Sequence, residues 1–173
     1  MASIKEITES FPFQHLPKII GKPCYASISE MHEKLNANAA SIHTNLGSGT
    51  LGHLWLTLKP EVYATLSAVP VEPPTNPGAA PEIPPLSTAA QIASIRYDFD
   101  TDYKIFTKYN NVEQALKTQV IEAVEEVYIQ SLRNKYVGYT NVTTLDLLTH
   151  LYNSYANITP SVLLENDKKC VSP

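Results

Sequence analysis

The sequence predicts an all-α domain: a small bundle of five to seven helices with an irregular N-terminal arm and a long proline-rich loop. Three observations support this fold class. Apolar residues recur at spacings of three and four through most of the chain, which is the period of one helical face. Residues that cap helices stand before these segments. The one alternating stretch, residues 54–58, is too short to anchor a sheet.

The composition is that of one folded domain. The chain has 173 residues, of which 43% are hydrophobic and 17% are charged. The formal net charge of −4 argues against a large nucleic-acid footprint, which needs a basic surface. No stretch approaches the ~18 apolar residues of a membrane span, and the N-terminus lacks the apolar run of a signal peptide. We therefore expect a cytoplasmic protein with no membrane contact, in which Cys24 and Cys170 are free thiols.

Residues 1–24 are predicted to form an irregular arm, because Pro12, Pro17 and Pro23 prevent a continuous helix. Such an arm can lie on the body of its own chain. In a self-assembling protein it can instead lie on a neighbouring copy. The body is predicted to be a helical lobe over residues 25–167.

The lobe is predicted to begin with a helix over residues 27–46. Ser27 and Glu30 have the spacing of a capping box, and Gly47 stands where a helix can stop. A second, short helix is predicted to start at residues 48–50. Pro60 is expected to end or kink that helix before one or two further helical turns.

Residues 70–86 are predicted to be an exposed proline-rich loop. Seven prolines, one glycine and no basic residue lie between Pro70 and Pro85, which is typical of extended or polyproline-type chain. A loop of this length inside a domain is uncommon and is usually functional or mobile. Two alternatives stay open: a spacer between two helical halves, and a surface loop that decorates a shell or recruits a proline-binding partner.

Two helices are predicted between the loop and Gly138. The first is capped by Ser87 or Thr88 and interrupted at Asn110 and Asn111. Its apolar residues have helical spacing: Ile92, Ile95, Phe99, Tyr103 and Phe106. The apolar face of the second contains Leu116, Val120, Val124, Val127 and Leu132. Gly138 is predicted to close it in a left-handed turn.

Capping residues predict two final helices. Thr143 is a good N-cap, and Asp146 lies three positions on, where it favours the positive helix end. Thr159 and Pro160 have the chemistry of a further helix start. Three leucines of the helix after Thr143 are predicted to face the core: Leu147, Leu148 and Leu151.

Catalytic and metal chemistry are missing from the sequence. The five histidines form no H-x-x-x-H or H-E-x-x-H pair, and the glycine cluster at residues 47–52 lacks the lysine of a phosphate-binding loop. Asp98, Asp100 and Asp102 point in different directions on a helix and lack the turn glycine of a calcium loop. We predict no catalytic residue, cofactor or metal ligand, and therefore no enzyme.

Tyrosines are concentrated in the last predicted helices. A tyrosine has an apolar ring with a polar tip, and it is enriched where two protein surfaces meet. The candidate interface residues are Tyr152, Tyr155, Tyr136 and Tyr139. The alternative is that these side chains belong to the core.

Eight short strings carry a resemblance to a known family. They are residues 16–21, 25–27, 37–41, 76–81, 132–139, 141–144, 150–152 and 157–160. In this order they resemble the Gag region of copia-type LTR retrotransposons. The resemblance covers the chain from about residue 10 to residue 169.

The resemblance implies a structural capsid protein that self-associates into a virus-like shell around the RNA of the element. Proteins of this class have two small helical lobes, and this chain resembles the first. Residues 168–173 form a tail that does not resemble the continuation, so we expect a truncated chain. The zinc knuckle of many Gag proteins is missing, which implies weak or no nucleic-acid binding.

The implied partner is the chain itself or full-length Gag. The alternative function is that of a truncated or co-opted Gag fragment, which acts as a protein-binding module and regulates or interferes with Gag assembly.

Overall fold

The structure is a computed structural model, and it describes residues 1–156. This part of the chain contains five α-helices and no β-strand, which confirms the all-α expectation. The helices are α1 (Ile4–Ser10), α2 (Tyr25–Ser41), α3 (Pro60–Leu66), α4 (Ala89–Ala123) and α5 (Thr144–Tyr155). The predicted helix start at Thr159 and Pro160 and the tail at 168–173 lie outside the described residues.

The N-terminal arm is not irregular throughout, because its first residues form α1. Ser3 caps this helix: Ser3 Oγ accepts the N–H of Glu6 at 3.3 Å, and Glu6 Oε2 accepts the N–H of Ser3 at 2.7 Å. The pair satisfies two backbone donors at the helix start. The three prolines of the arm all follow this helix, so they limit its length without preventing it.

The arm packs on the body of its own chain. Its buried side chains include Ile7, Phe11, Leu16 and Ile19. Beyond these apolar contacts, two buried amides hold its backbone. Asn38 Nδ2 and Gln119 Nε2 both donate to the carbonyl oxygen of Phe13, at 2.7 and 2.9 Å, and Asn38 Oδ1 accepts the N–H of Phe13 at 2.9 Å. These bonds fix where the arm crosses α2 and α4.

α2 begins at Tyr25 and ends at Ser41, so both predicted ends are displaced. Ser27 is not the N-cap; it lies inside the first turn, where its Oγ accepts the N–H of Cys24 at 3.0 Å. At the C-terminal end of α2, His53 binds backbone carbonyl groups that a longer helix would use for its own hydrogen bonds. Its N–H donates to Ala39 O at 2.9 Å, and its Nδ1 lies 2.8 Å from Ile42 O.

Cys24 is the N-cap of α2 and is buried. It is disulfide-bonded, so the expectation of a free thiol is wrong at this residue. Cys170 lies outside the described residues.

The predicted short helix after Gly47 is reduced to a single 3-10 turn, Leu54–Leu56. Gly47, Gly49 and Gly52 have φ of 63°, 73° and 54°, a left-handed conformation that breaks a right-handed helix. Gly52 has no room for a side chain, because a β-carbon there would overlap the carbonyl oxygen of Ala40. Pro60 does not end a helix; it is the first residue of α3, where its missing N–H costs nothing.

The proline-rich loop and α4 follow α3. Residues 70–84 have no regular secondary structure, and most of their side chains are exposed. Thr88 caps α4, which then runs unbroken to Ala123, so the predicted interruption at Asn110 and Asn111 is wrong. An asparagine costs a helix less than about 0.7 kcal/mol, and tertiary contacts outweigh this cost here.

α4 ends at Ala123 instead of continuing towards Gly138. Val124 takes an extended conformation and forms a bridge with Ile19 of the arm, which ends the helix. Two single 3-10 turns follow: Glu126–Tyr128 and Gln130–Leu132. Gly138 has the expected positive φ of 60°, but it closes a turn with Asn134, and the N–H of each residue donates to the carbonyl of the other at 2.9 Å.

α5 starts as predicted, with Thr143 and Asp146 in a reciprocal capping box of two 3.0 Å bonds. The three leucines of α5 that were predicted to face the core are buried: Leu147, Leu148 and Leu151. They join the apolar faces of α2 and of the last third of α4 in one core, which the arm covers. The residues of α2 in this core are Ile28, Met31, Leu35 and Ala39.

Candidate functional site

Two of the four predicted interface tyrosines lie near the turn closed by Asn134 and Gly138. Tyr136 lies inside this turn, and Tyr139 follows it directly. Tyr136 is 82% exposed. Tyr139 is half-buried against the core, and its hydroxyl oxygen is buried with no hydrogen-bond partner among residues 1–156. Burial raises the pKa of Tyr139. Tyr136 thus presents its ring to solvent with Lys135 Nζ 4.6 Å from the ring centroid, whereas Tyr139 belongs to the edge of the core.

Tyr152 and Tyr155 are half-buried on α5 and have partners within the chain. The Tyr152 hydroxyl lies 2.9 Å from Nδ1 of His32. The ring of Tyr155 meets that of Tyr128 edge-on at 5.4 Å, and its hydroxyl donates to Tyr128 O at 3.4 Å. Both rings therefore close the border of the core. Their contact with another copy stays a prediction.

An apolar groove that the sequence did not predict lies beside these elements. We call it the Trp55 groove, and its volume is about 520 Å³, within the range of small-ligand pockets. The 3-10 turn and α3 form one wall, α4 and the start of α5 form another, and the first residues of the proline-rich loop form the third. The principal lining residues are Trp55, Leu58, Tyr63, Pro70, Val71, Pro73, Tyr109, Glu113 and Leu145.

Two buried polar atoms of the Trp55 groove have no hydrogen-bond partner in the described part of the chain: Trp55 Nε1 and Glu113 Oε2. Glu113 is 7% exposed, and its other oxygen, Oε1, accepts the N–H of Thr144 at 2.6 Å. An unsatisfied buried polar atom costs about 1–3 kcal/mol, so such atoms are few in folded proteins. Both atoms belong to residues that line the same groove.

Opposing influences act on the Glu113 carboxyl group: burial disfavours its charged form, whereas hydrogen bonds from Thr144 and the charge of Lys117 favour it. Burial raises the pKa of Glu113. Lys117 does not form an ion pair with it, since Lys117 Nζ donates instead to Tyr139 O at 3.1 Å and Thr140 O at 3.3 Å. When protonated, Glu113 donates a hydrogen bond, as Trp55 Nε1 does. The groove then offers two donors in an apolar, aromatic surround.

The Trp55 ring is held in place by its neighbours. It stacks on Tyr109 of α4, with the ring centroids 5.5 Å apart and an interplanar angle of 16°. Burial raises the pKa of Tyr109. The stacked pair limits the rotation of the indole ring and so fixes its orientation.

The sequence contains a local signal for the Trp55 groove, which is the position of Glu113. Glu113 lies three and seven positions before Leu116 and Val120, so it belongs to their apolar helical face. Burying a carboxylate costs folding free energy unless the group is paired or neutralised. A carboxylate on an apolar helical face is therefore a signal of a special role. Trp55 is the only tryptophan in the chain.

A second feature is the exposed segment of α4, residues 89–111, which we call the free segment. Its last residues contact the rest of the chain, because Tyr109 stacks on Trp55 and Asn111 Nδ2 donates to Ala2 O. No residue of this segment is buried, and the first buried residue of α4 is Val112. Apolar side chains are nevertheless exposed along it: Tyr97 is 71%, Tyr103 47% and Ile105 37% exposed. Exposed apolar surface of this kind marks sites of interaction.

The described residues contain no group of three or more His, Cys, Asp or Glu that could hold a metal ion. His53 is buried with its Nδ1 2.8 Å from the Ile42 carbonyl oxygen, and burial lowers its pKa. In residues 1–156 no helix is long and apolar enough to cross a membrane.

Comparison with known proteins gives no relative on which to base a function. No family model matches the chain, and no curated protein or solved structure matches it. The resemblance to copia-type Gag therefore rests on the strings of residues given above.

Proposed function

We propose that this chain is a Gag-like structural protein of a copia-type retrotransposon, which self-associates into a virus-like shell in the cytoplasm. The observation that supports this most is the free segment of α4. At 1.5 Å per residue the segment is about 35 Å long, and the part of it that precedes Tyr109 gains little stability without packing. A neighbouring copy supplies that packing in an assembly.

Two further features support a self-associating protein. The exposed ring of Tyr136 adds an apolar surface on a second part of the chain. Closed shells need repeated contacts through more than one surface of each copy. The formal net charge of −4 fits a lobe that contacts protein and binds nucleic acid weakly or not at all, since phosphate neutralisation dominates such binding.

The Trp55 groove supports a second candidate, a Gag-derived module that binds other Gag chains and regulates their assembly. Such a module needs one good binding site and no shell contacts. The unsatisfied donor of Trp55 and the buried carboxyl of Glu113 provide such a site. The partner in this case is full-length Gag.

The size of the purified chain in solution tests the proposal. We expect large regular particles by light scattering and electron microscopy across a concentration series. Tyr97→Ser and Ile105→Ser should shift the size distribution to small species, because they remove apolar side chains from the free segment of α4. Asp100→Ser on the same segment is the control and should leave the particles intact.

A chain that stays monomeric or dimeric at every concentration would refute the shell function and favour the binding module. A salt-sensitive complex with single-stranded RNA, tighter than micromolar, would contradict the expectation of weak nucleic-acid binding.

A further inference from the structure

We propose that the Trp55 groove binds residues 78–86, the exposed end of the proline-rich loop, of a second copy of this chain. This contact rests on the proposed self-association, for which it names one pair of surfaces. It joins two different surfaces, groove and loop, so the copies associate head to tail.

The groove has the chemistry that binds a proline-rich chain. Such segments adopt an extended polyproline conformation in which the carbonyl groups are not bonded internally and the prolines have no N–H to offer. Proteins bind them in aromatic-lined grooves with donors that reach these carbonyls. Trp55, Tyr63 and Tyr109 line this groove, and Trp55 Nε1 is an unused donor inside it.

Glu113 supplies the second polar atom. Its Oε2 is buried at the groove without a partner in the described part of the chain, while Oε1 is fixed by the N–H of Thr144. A protonated carboxyl donates to a carbonyl group, which is the group that a proline-rich segment presents along its length. The raised pKa of Glu113 supports this form.

Residues 78–86 have the complementary features. All of their side chains are exposed, and Leu86 is 102% and Ile83 36% exposed. Among their carbonyl oxygens only that of Pro84 accepts a hydrogen bond in the described structure, from Ser87. The segment therefore presents unused acceptors and exposed apolar side chains, which are the counterparts of the donors and apolar walls of the groove.

Within one copy the two surfaces do not meet. The chain's own loop contributes only its first residues, Pro70, Val71 and Pro73, to one wall of the groove, and residues 78–86 line no part of it. Each copy thus carries both halves of a contact that a single copy does not make. A head-to-tail contact of this kind generates rings or open chains of copies.

The single tryptophan gives a direct test, because its emission comes from the groove. A synthetic peptide of residues 78–86 is titrated into the full-length chain, and a saturable change in tryptophan fluorescence is expected at millimolar concentration or below. A matched peptide with Pro81, Pro84 and Pro85 replaced by alanine should bind at least tenfold more weakly. No saturable change, or equal binding of both peptides, would overturn the proposal.

A mixing experiment tests the contact between whole chains. Trp55→Phe keeps an aromatic ring at this position and removes the indole N–H, and a second variant replaces residues 78–86 with glycine and serine. Each variant alone should lose the groove–loop contact. Mixed together, they should form a 1:1 complex, because the intact loop of the first binds the intact groove of the second. Circular dichroism and melting curves verify that both variants are folded.

The outcomes separate this inference from the proposed function. If the wild-type chain assembles and neither variant changes its size, the groove–loop contact is wrong while the shell function stands. If the wild-type chain does not self-associate but binds the peptide, the groove accepts the segment and the shell function fails. If both the peptide and the mixture give no binding, the inference is refuted, whatever the wild-type chain does.

Discussion

Replacing Gly52 with alanine should be among the most destabilising single-methyl changes in this protein. Its φ of 54° is left-handed, and a side chain in that conformation costs about 1–2 kcal/mol. The added β-carbon would also overlap the Ala40 carbonyl oxygen and lie 2.8 Å from that of Ile42. These are backbone atoms at the end of α2, which cannot rotate away. Overpacking of this kind costs about 1–3 kcal/mol, so the expected total is about 2–5 kcal/mol.

Gly78→Ala is the matched control. Gly78 has a φ of 75°, and a β-carbon there would meet nothing within 4 Å, so only the conformational cost of about 1–2 kcal/mol applies. Both substitutions reduce the freedom of the unfolded chain to a similar extent. The difference between the two variants therefore isolates the close approach of Gly52 to α2.

Urea denaturation followed by circular dichroism measures both free energies of unfolding. We expect the free energy of unfolding of the Gly52 variant to fall by about 1–3 kcal/mol more than that of the Gly78 variant. Its slope against urea concentration should stay unchanged if the folded state is retained. Equal losses in the two variants would refute the reasoning, because the carbonyl groups of α2 would then not be pressed against this glycine.

Three further changes test other parts of the structure. Leu148→Ala should cost about 2–5 kcal/mol in the same assay, because the side chain is 1% exposed and leaves a cavity; a cost below 1 kcal/mol would contradict its place in the core. Leu86→Gly should raise stability by about 0.5–1 kcal/mol, since Leu86 has a φ of 65° and is fully exposed, and a loss would be the contrary result. Burial lowers the pKa of His53 below 6.5, so its contribution to stability is present above pH 6.5 and is lost as the pH falls through the folded-state pKa. His53→Gln should therefore flatten the fall in stability between pH 7 and 5, whereas His15→Gln, at an exposed residue, should not.

The elements that the sequence predicted well are those whose signals are local. The capping box of Thr143 and Asp146, followed by three leucines on one face, defines α5 without reference to the rest of the chain. The end of α4 is different. Val124 continues the apolar spacing of the helix, and only its pairing with Ile19, which lies far away in sequence, ends the helix there. A periodic pattern alone contains no information about such a partner.

The candidate site was less predictable than the fold. The Trp55 groove is assembled from the 3-10 turn, α3, the loop, α4 and α5, so no single stretch of sequence contains it. The tyrosine-rich region was visible because its residues are clustered in the chain. The outlying position of Glu113 on an apolar face was the one local signal of the groove.

The uneven burial of α4 has a consequence for motion. A helix normally opens from its ends, and the free energy of opening rises with the number of buried contacts that must be broken. Amide hydrogens of residues 93–111 should therefore exchange with solvent through local fraying, whereas those from Val112 to Ala123 should exchange only when the core opens. One continuous helix thus contains two cooperative units, with the border near Val112. A partner that binds the first unit should slow exchange there without changing the rates in the second.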